Sequence, residues 1–163
     1  MIGTPVRVAL GTGALTPGAM GGVFFGFSSF IMRALRQLPP SEGIAAMQAI
    51  NRAAPTPSFG LPLFGTAVLG IGLAVHGLQH LDEPVGRLEL TGGAVYLAGV
   101  VLTLAFHVPR NDALDRLDPH AAGSAAAWSD FVREWTLGNH LRTVTSLVAA
   151  GAWIAALYQS RGG

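Results

Sequence analysis

The chain has no cysteine, and its ten basic residues are all arginine, with no lysine. Without thiols it holds neither a disulfide nor a thiolate metal site, and no redox compartment can be read from it. Charge of either sign is scarce: 12% of residues are charged and the formal net charge is +1. A soluble domain carries about 25% charged residues. A nucleic-acid partner would need a basic surface, which this balance does not supply. Internal repeats and low-complexity segments are also missing.

Long uncharged runs are what the sequence has instead. Half of the residues are apolar and the mean hydropathy is +0.47. The run from Val8 to Met32 ends abruptly at Arg33. A helix of about 25 residues rises about 37 Å, enough to cross a hydrocarbon core of about 30 Å with some tilt. Ser58 to His80, Leu90 (or Glu89) to Val108 and Thr143 (or Asn139) to Ser160 repeat the pattern. The expected fold is all-α: an integral membrane four-helix bundle in one domain over 1–163, with short interfacial helices in the first and third connections. The first run is too long, and its basic leader too slight, for a cleaved signal peptide.

Arginine placement gives an orientation. The connections after the first and third spans hold Arg33, Arg36, Arg52, Arg110, Arg116, Arg133 and Arg142. The N-terminus, the second connection and the C-terminal tail hold Arg7, Arg87 and Arg161. The positive-inside rule then puts both termini outside. Pro17 is expected to kink the first span or to mark the start of its regular part. Gly18, Gly22 and Gly26 form a flat face suited to packing within the molecule, or to a homodimer; Gly65, Gly70, Gly72 and Gly77 thin the second span. In the first connection Ser41 reads as an N-cap with Glu42 in the first turn, opening a short amphipathic helix from Ile44 to about Arg52. The third connection shows turn chemistry at Pro109 to Asp112 and at Asp118-Pro119. Ser124 then reads as the cap of a helix that runs through Trp128, Phe131 and Trp135 into the fourth span.

Polar groups within spans must face the bundle interior or water. Tyr96, Thr103 and His107 share one helical face, and Trp135, Asn139, Arg142, Thr143 and Ser146 share another. With Arg33, Asn51 and Arg52 at the same depth, these stripes predict a polar pocket at one mouth of the bundle. Each member has a plainer reading. Arg33, Arg110 and Arg142 can snorkel to headgroups, and Trp135 can sit in an interfacial aromatic belt. Asn139 can stitch two helices together, and His107 can be satisfied by a backbone carbonyl. His76 and His80, at i and i+4, have a spacing that can share a metal, but no cysteine or carboxylate cluster accompanies them. Asp82, Glu83 and Glu89 read as ordinary charges of a connection. The metal assignment is therefore none.

Val23-Phe-Phe-Gly-Phe-Ser-Ser-Phe-Ile-Met32, Leu38-Pro-Pro and Gly43-Ile-Ala-Ala-Met-Gln-Ala-Ile-Asn-Arg52 resemble the anthrone oxygenase family of small four-helix membrane proteins. The likeness continues at Val108-Pro109, Asn111-Asp-Ala-Leu114, Trp128, Trp135 and Asn139-His-Leu-Arg142-Thr143. It implies an oxygenase that needs no cofactor and converts anthrones to anthraquinones with molecular oxygen. Such chemistry needs a base near neutral pH and donors for an oxyanion. The residues that fit are His107 as base, with Asn111, Asn139 and Arg142 as donors. The candidate binding set is Phe27, Met32, Arg33, Asn51, Arg52, Tyr96, Thr103 and Trp135, with Phe27 and Trp135 flanking a flat ring. The chain departs from the family pattern where Arg33 replaces a proline, His107 an asparagine, Arg110 a bulky apolar residue and Gly138 a tryptophan. The added positive charge implies an anionic ligand, a lipid headgroup or a protein partner at the pocket mouth.

The expected function is thus a membrane oxygenase acting on a flat hydrophobic phenolic, anthrone or quinone-type molecule. The alternative is a non-catalytic accessory or binding subunit of a larger membrane assembly. Expected partners are a hydrophobic small molecule and lipid, with a homo-oligomer or larger complex on the second reading. The expected location is a bacterial inner membrane. A transporter is disfavoured, because no buried acidic pair or broken-helix repeat is evident.

Overall fold

Proline and glycine set the helix boundaries. Pro40, Pro57 and Pro84 each stand at the first helical position, where the missing N–H would have no intrahelical partner anyway. Gly123, at φ 86°, turns the chain into the last helix. The computed structural model describes residues 3–160, and Arg161 lies outside them. Among the described residues there are five helices and no strand: α1 Thr4–Gln37, α2 Pro40–Ala53, α3 Pro57–Gln79, α4 Pro84–Asp115 and α5 Ser124–Gln159. All except α2 are long and apolar enough to cross a membrane. The chain is an all-helical integral membrane bundle.

Several local expectations are corrected. α1 runs unbroken from Thr4 through the buried Pro17, so this proline does not begin its regular part. Ser41 and Ser124 lie inside their helices, because Pro39 and Gly123 occupy the cap positions; the Ser124 hydroxyl donates instead to Pro119 O at 3.0 Å. Pro109 to Asp112 is helix rather than turn. The π-helical turn Thr103–His107 just before it supplies the looser backbone that a proline ring needs. At Asp118-Pro119 the turn is present, closed by His120 N–H donating to Asp118 Oδ1 at 2.9 Å. Gly18 and Gly22 have open space where a side chain would be. The inward face of α1 carries Leu10, Gly13, Pro17, Met20, Gly21 and Phe24 instead.

The helices do not share one length. At 34, 23, 32 and 36 residues, α1, α3, α4 and α5 rise about 51, 35, 48 and 54 Å. Only α3 is matched to a bilayer. α4 passes the start of α3 and continues to Asp115, and α5 begins well before the same level. These overhangs, with α2, form a cap at the end of the bundle opposite the termini.

Two hydrophobic cores result. One lies among the spans and is centred on Leu10, Phe24, Leu63, Tyr96 and Trp153. The other lies in the cap: Met32, Leu35, Ile44, Met47, Leu114, Trp128, Phe131, Val132 and Trp135. Gln48 ties α2 to the end of α4, its Nε2 donating at 2.9 Å to both Leu114 O and Leu117 O. The cap is thus docked by apolar burial and by the Gln48 amide, which satisfies a carbonyl in the last turn of α4 and another just beyond it.

Near the termini the spans are sealed by contact. A Cβ on Gly77 would strike the Gly86 carbonyl, one on Gly86 the His80 carbonyl, and one on Gly93 the Gly70 carbonyl at 2.5 Å. Trp153, fully buried, fills a socket made by Gly13, Gly70 and Gly92 from three helices, and its Nε1 donates to Glu89 O at 3.3 Å.

Candidate active site

A cavity of about 470 Å³ lies at the seam between the two cores, within the range of small-molecule sites. Its floor is Phe24, Phe59 and Leu63 from the span core. Its roof is Met47, Ile50 and Asn51 from α2, and one wall is Trp135 and Arg142 from α5. The opposite wall is Thr103, Leu104, His107 and Asn111 from α4. Three π-helical turns occur at this level: Phe27–Ile31 in α1, Leu61–Gly65 in α3 and Thr103–His107 in α4. Each contributes a lining residue. Such turns widen the helix by one residue and recur at functional sites.

Two polar groups stand out. Arg142 is 6% exposed and has no carboxylate partner among the described residues. One of its terminal nitrogens donates to Asn139 Oδ1 at 2.6 Å, and its Nε is left without a partner. The guanidinium carbon lies 4.4 Å from the Phe24 ring centroid and 5.2 Å from that of Trp135, contacts that favour a cation. His107 is 1% exposed. Its Nδ1 is a long 3.4 Å from Leu102 O, and its Nε2 has no partner. The imidazole meets the Trp135 ring edge-on, with centroids 5.3 Å apart. Buried polar atoms are nearly always paired; these two unpaired ones belong to residues that line the same cavity.

Eight of the expected site residues line this cavity: Phe27, Asn51, Arg52, Thr103, His107, Asn111, Trp135 and Arg142. The Asn111 side-chain oxygen is committed to Trp135, accepting from Nε1 at 2.8 Å, so only its amide nitrogen is free to donate. Four lie elsewhere. Asn139 is fully buried between helices, its Nδ2 donating to Phe24 O and Ser28 Oγ at 2.6 Å each. It stitches α1 to α5 and accepts from Arg142, so its side chain is occupied within the protein. Met32 is buried in the cap core. Arg33 is exposed. Tyr96 is buried below the cavity, donating to Leu63 O at 3.1 Å.

Arg110 does not supply charge to the mouth. It pairs with Glu134 at 3.0 Å on another face and stacks on Phe106 at 3.5 Å. The mouth instead carries Arg52 with Asp112 and Asp115, so it is not electropositive. Gly138 packs directly on the His107 ring: a Cβ on Gly138 would lie 2.9 Å from His107 Cε1 and 2.6 Å from Phe106 Cε1. A side chain at 138 would collide with the imidazole at 107.

Glu89 is the residue that sequence reading misplaced. Because α4 begins at Pro84, Glu89 lies well inside the helix and is fully buried. Its Oε2 meets His76 Nδ1 at 2.6 Å, and its Oε1 has no partner. The signal was available, since Glu89 precedes Tyr96 by seven residues and so shares the inward face of Tyr96 and Thr103. His76 and His80 are stacked at 4.3 Å, with His80 Nδ1 donating to His76 O at 2.8 Å. Among the described residues no group of three or more His, Asp or Glu is placed to hold a metal ion.

The family model for anthrone oxygenase matches residues 44–152, more than half of the chain. The chain belongs to the anthrone oxygenase family. The matched region runs from α2 to the last turns of α5 and so includes both the roof of the cavity and its two polar walls. No curated protein and no solved structure matches.

Proposed function

We propose that this anthrone oxygenase family member is a membrane-embedded, cofactor-independent oxygenase for a flat hydrophobic phenolic, anthrone or quinone-type molecule. The observation that carries this reading is the buried, carboxylate-free Arg142 sharing a cavity with the unpartnered His107 Nε2. A buried guanidinium without a counter-ion is costly; an oxyanion on the ligand removes that cost.

On this reading Phe24, Phe27 and Trp135 hold the ring system, and Arg142 takes the oxygen substituent. His107 Nε2 removes a proton from the activated methylene, and the negative charge moves onto that oxygen beside Arg142. The carbanion reduces oxygen by one electron. The radical pair combines, and the proton returns from the histidine to give a hydroperoxide. Loss of water, with the second C–H proton, leaves the carbonyl. The sum is one anthrone and one O₂ to one anthraquinone and one water. Asn139 orients Arg142, and Asn111 orients Trp135.

The test uses purified protein in nanodiscs supplied with an anthrone and oxygen. Oxygen uptake should match quinone formation one to one, and His107→Ala should lower the rate by about 10²–10⁴-fold. Undiminished turnover in that variant would remove the proposed base. No turnover, with a polypeptide co-purifying in fixed proportion, would favour the accessory-subunit reading.

A further inference from the structure

α3 and α4 diverge like a V. From the termini inwards they are held by the backbone contacts of Gly77 with Gly86 and of Gly70 with Gly93. The last tie is the Tyr96 hydroxyl on Leu63 O. Beyond it the π turn of α3 packs on α1, and Phe59 meets Phe24 edge-on at 6.5 Å. At this level α3 therefore keeps its packing on α1 while it parts from α4. Leu104 follows Gly93 by three helical turns and so occupies the same α3-facing line. Phe64 follows Leu63 on the flank turned towards it. Both residues line the cavity, yet Phe64 is 48% and Leu104 50% exposed on the outer surface. Their outward neighbours Val68 and Val101 are exposed and apolar, as a lipid-facing surface requires. The other opening, at the cap, is rimmed by Arg52, Asp112 and Asp115.

We infer that the cavity takes its ligand from the bilayer, through a side opening between Phe64 of α3 and Leu104 of α4. The ligand class is then a molecule dissolved in the membrane, entering by an apolar edge with its oxygen substituent directed to Arg142. A charged or conjugated water-soluble form would have to pass the mixed-charge mouth instead. This inference rests on the reading of the cavity as a site for a flat aromatic molecule.

The absence of native cysteine makes the test direct. A Phe64→Cys/Leu104→Cys double variant in nanodiscs is bridged by a short bismaleimide with a reducible linker. Uptake of a membrane-partitioned hydroxyanthraquinone is followed by quenching of tryptophan fluorescence. Bridging should slow uptake about tenfold or more, and reduction should restore it. Unchanged uptake after bridging would overturn lateral entry. On the unaltered protein, the uptake rate should follow the probe's concentration in the lipid, varied through the lipid-to-protein ratio. A rate that follows only its aqueous concentration would overturn the inference without any variant. If the unaltered protein shows no quenching at all, the aromatic-ligand reading itself fails, and lateral entry falls with it.

Discussion

The two ends of this bundle solve the same burial problem in opposite ways. Near the termini the helices meet backbone to backbone through glycine. The buried Glu89 has a histidine on one carboxylate oxygen and no partner on the other, and Trp153 is fully buried. At the capped end three helices loosen into π turns, two cores fail to merge, and a guanidinium and an imidazole are left unpaired beside an open cavity. The first arrangement maximises packing. The second gives up packing around a cavity, as a binding site on the proposed reading would require.

That contrast is most easily broken at the sealed end. Gly77→Ala forces a methyl group into the Gly86 carbonyl, and overpacking of this kind costs about 1–3 kcal/mol. Unfolding in detergent should show the loss. The same substitution at Gly18, which has open space around it, should leave stability unchanged; equal effects at both positions would mean that the α3–α4 contact is not what holds the bundle. A smaller effect is expected at the capped end. Trp135→Phe keeps the aromatic wall but deletes the bond to Asn111, worth about 1 kcal/mol. It should weaken ligand binding more than it lowers the unfolding midpoint. The smallest effect belongs to Arg33→Ala. The side chain is exposed and outside the cavity, so both stability and binding should stay within about 0.5 kcal/mol of the parent.

Hydropathy runs alone were enough to find the spans, because a bilayer tolerates no unsatisfied backbone and few charges. Helical periodicity went further and brought Thr103, His107, Trp135 and Arg142 to one cavity. It failed where depth and partner matter more than face. Tyr96 lies on the right face but one level too deep, and Asn139 points between helices rather than into the opening. Arg110 sits one turn beyond His107 and finds Glu134. The apolar floor, Phe24, Phe59 and Leu63, was invisible because an aromatic or leucine in a span looks the same whether it faces lipid, core or cavity. The π turns also left no clear mark: Pro62 and Pro109 accompany two of them, but the turn at Phe27–Ile31 has no proline to announce it. Glu89 was overlooked for a different reason, since its face was right and only the start of its helix was placed too late.

The account depends on Arg142 being held for a ligand's oxygen. The direct measurement is equilibrium binding of a hydroxyanthraquinone to the unaltered protein and to Arg142→Met in nanodiscs, with folding checked by thermal unfolding. Affinity should fall about a hundredfold when the buried charge is removed, while the variant remains folded. Equal affinity in a folded Arg142→Met protein would contradict the account.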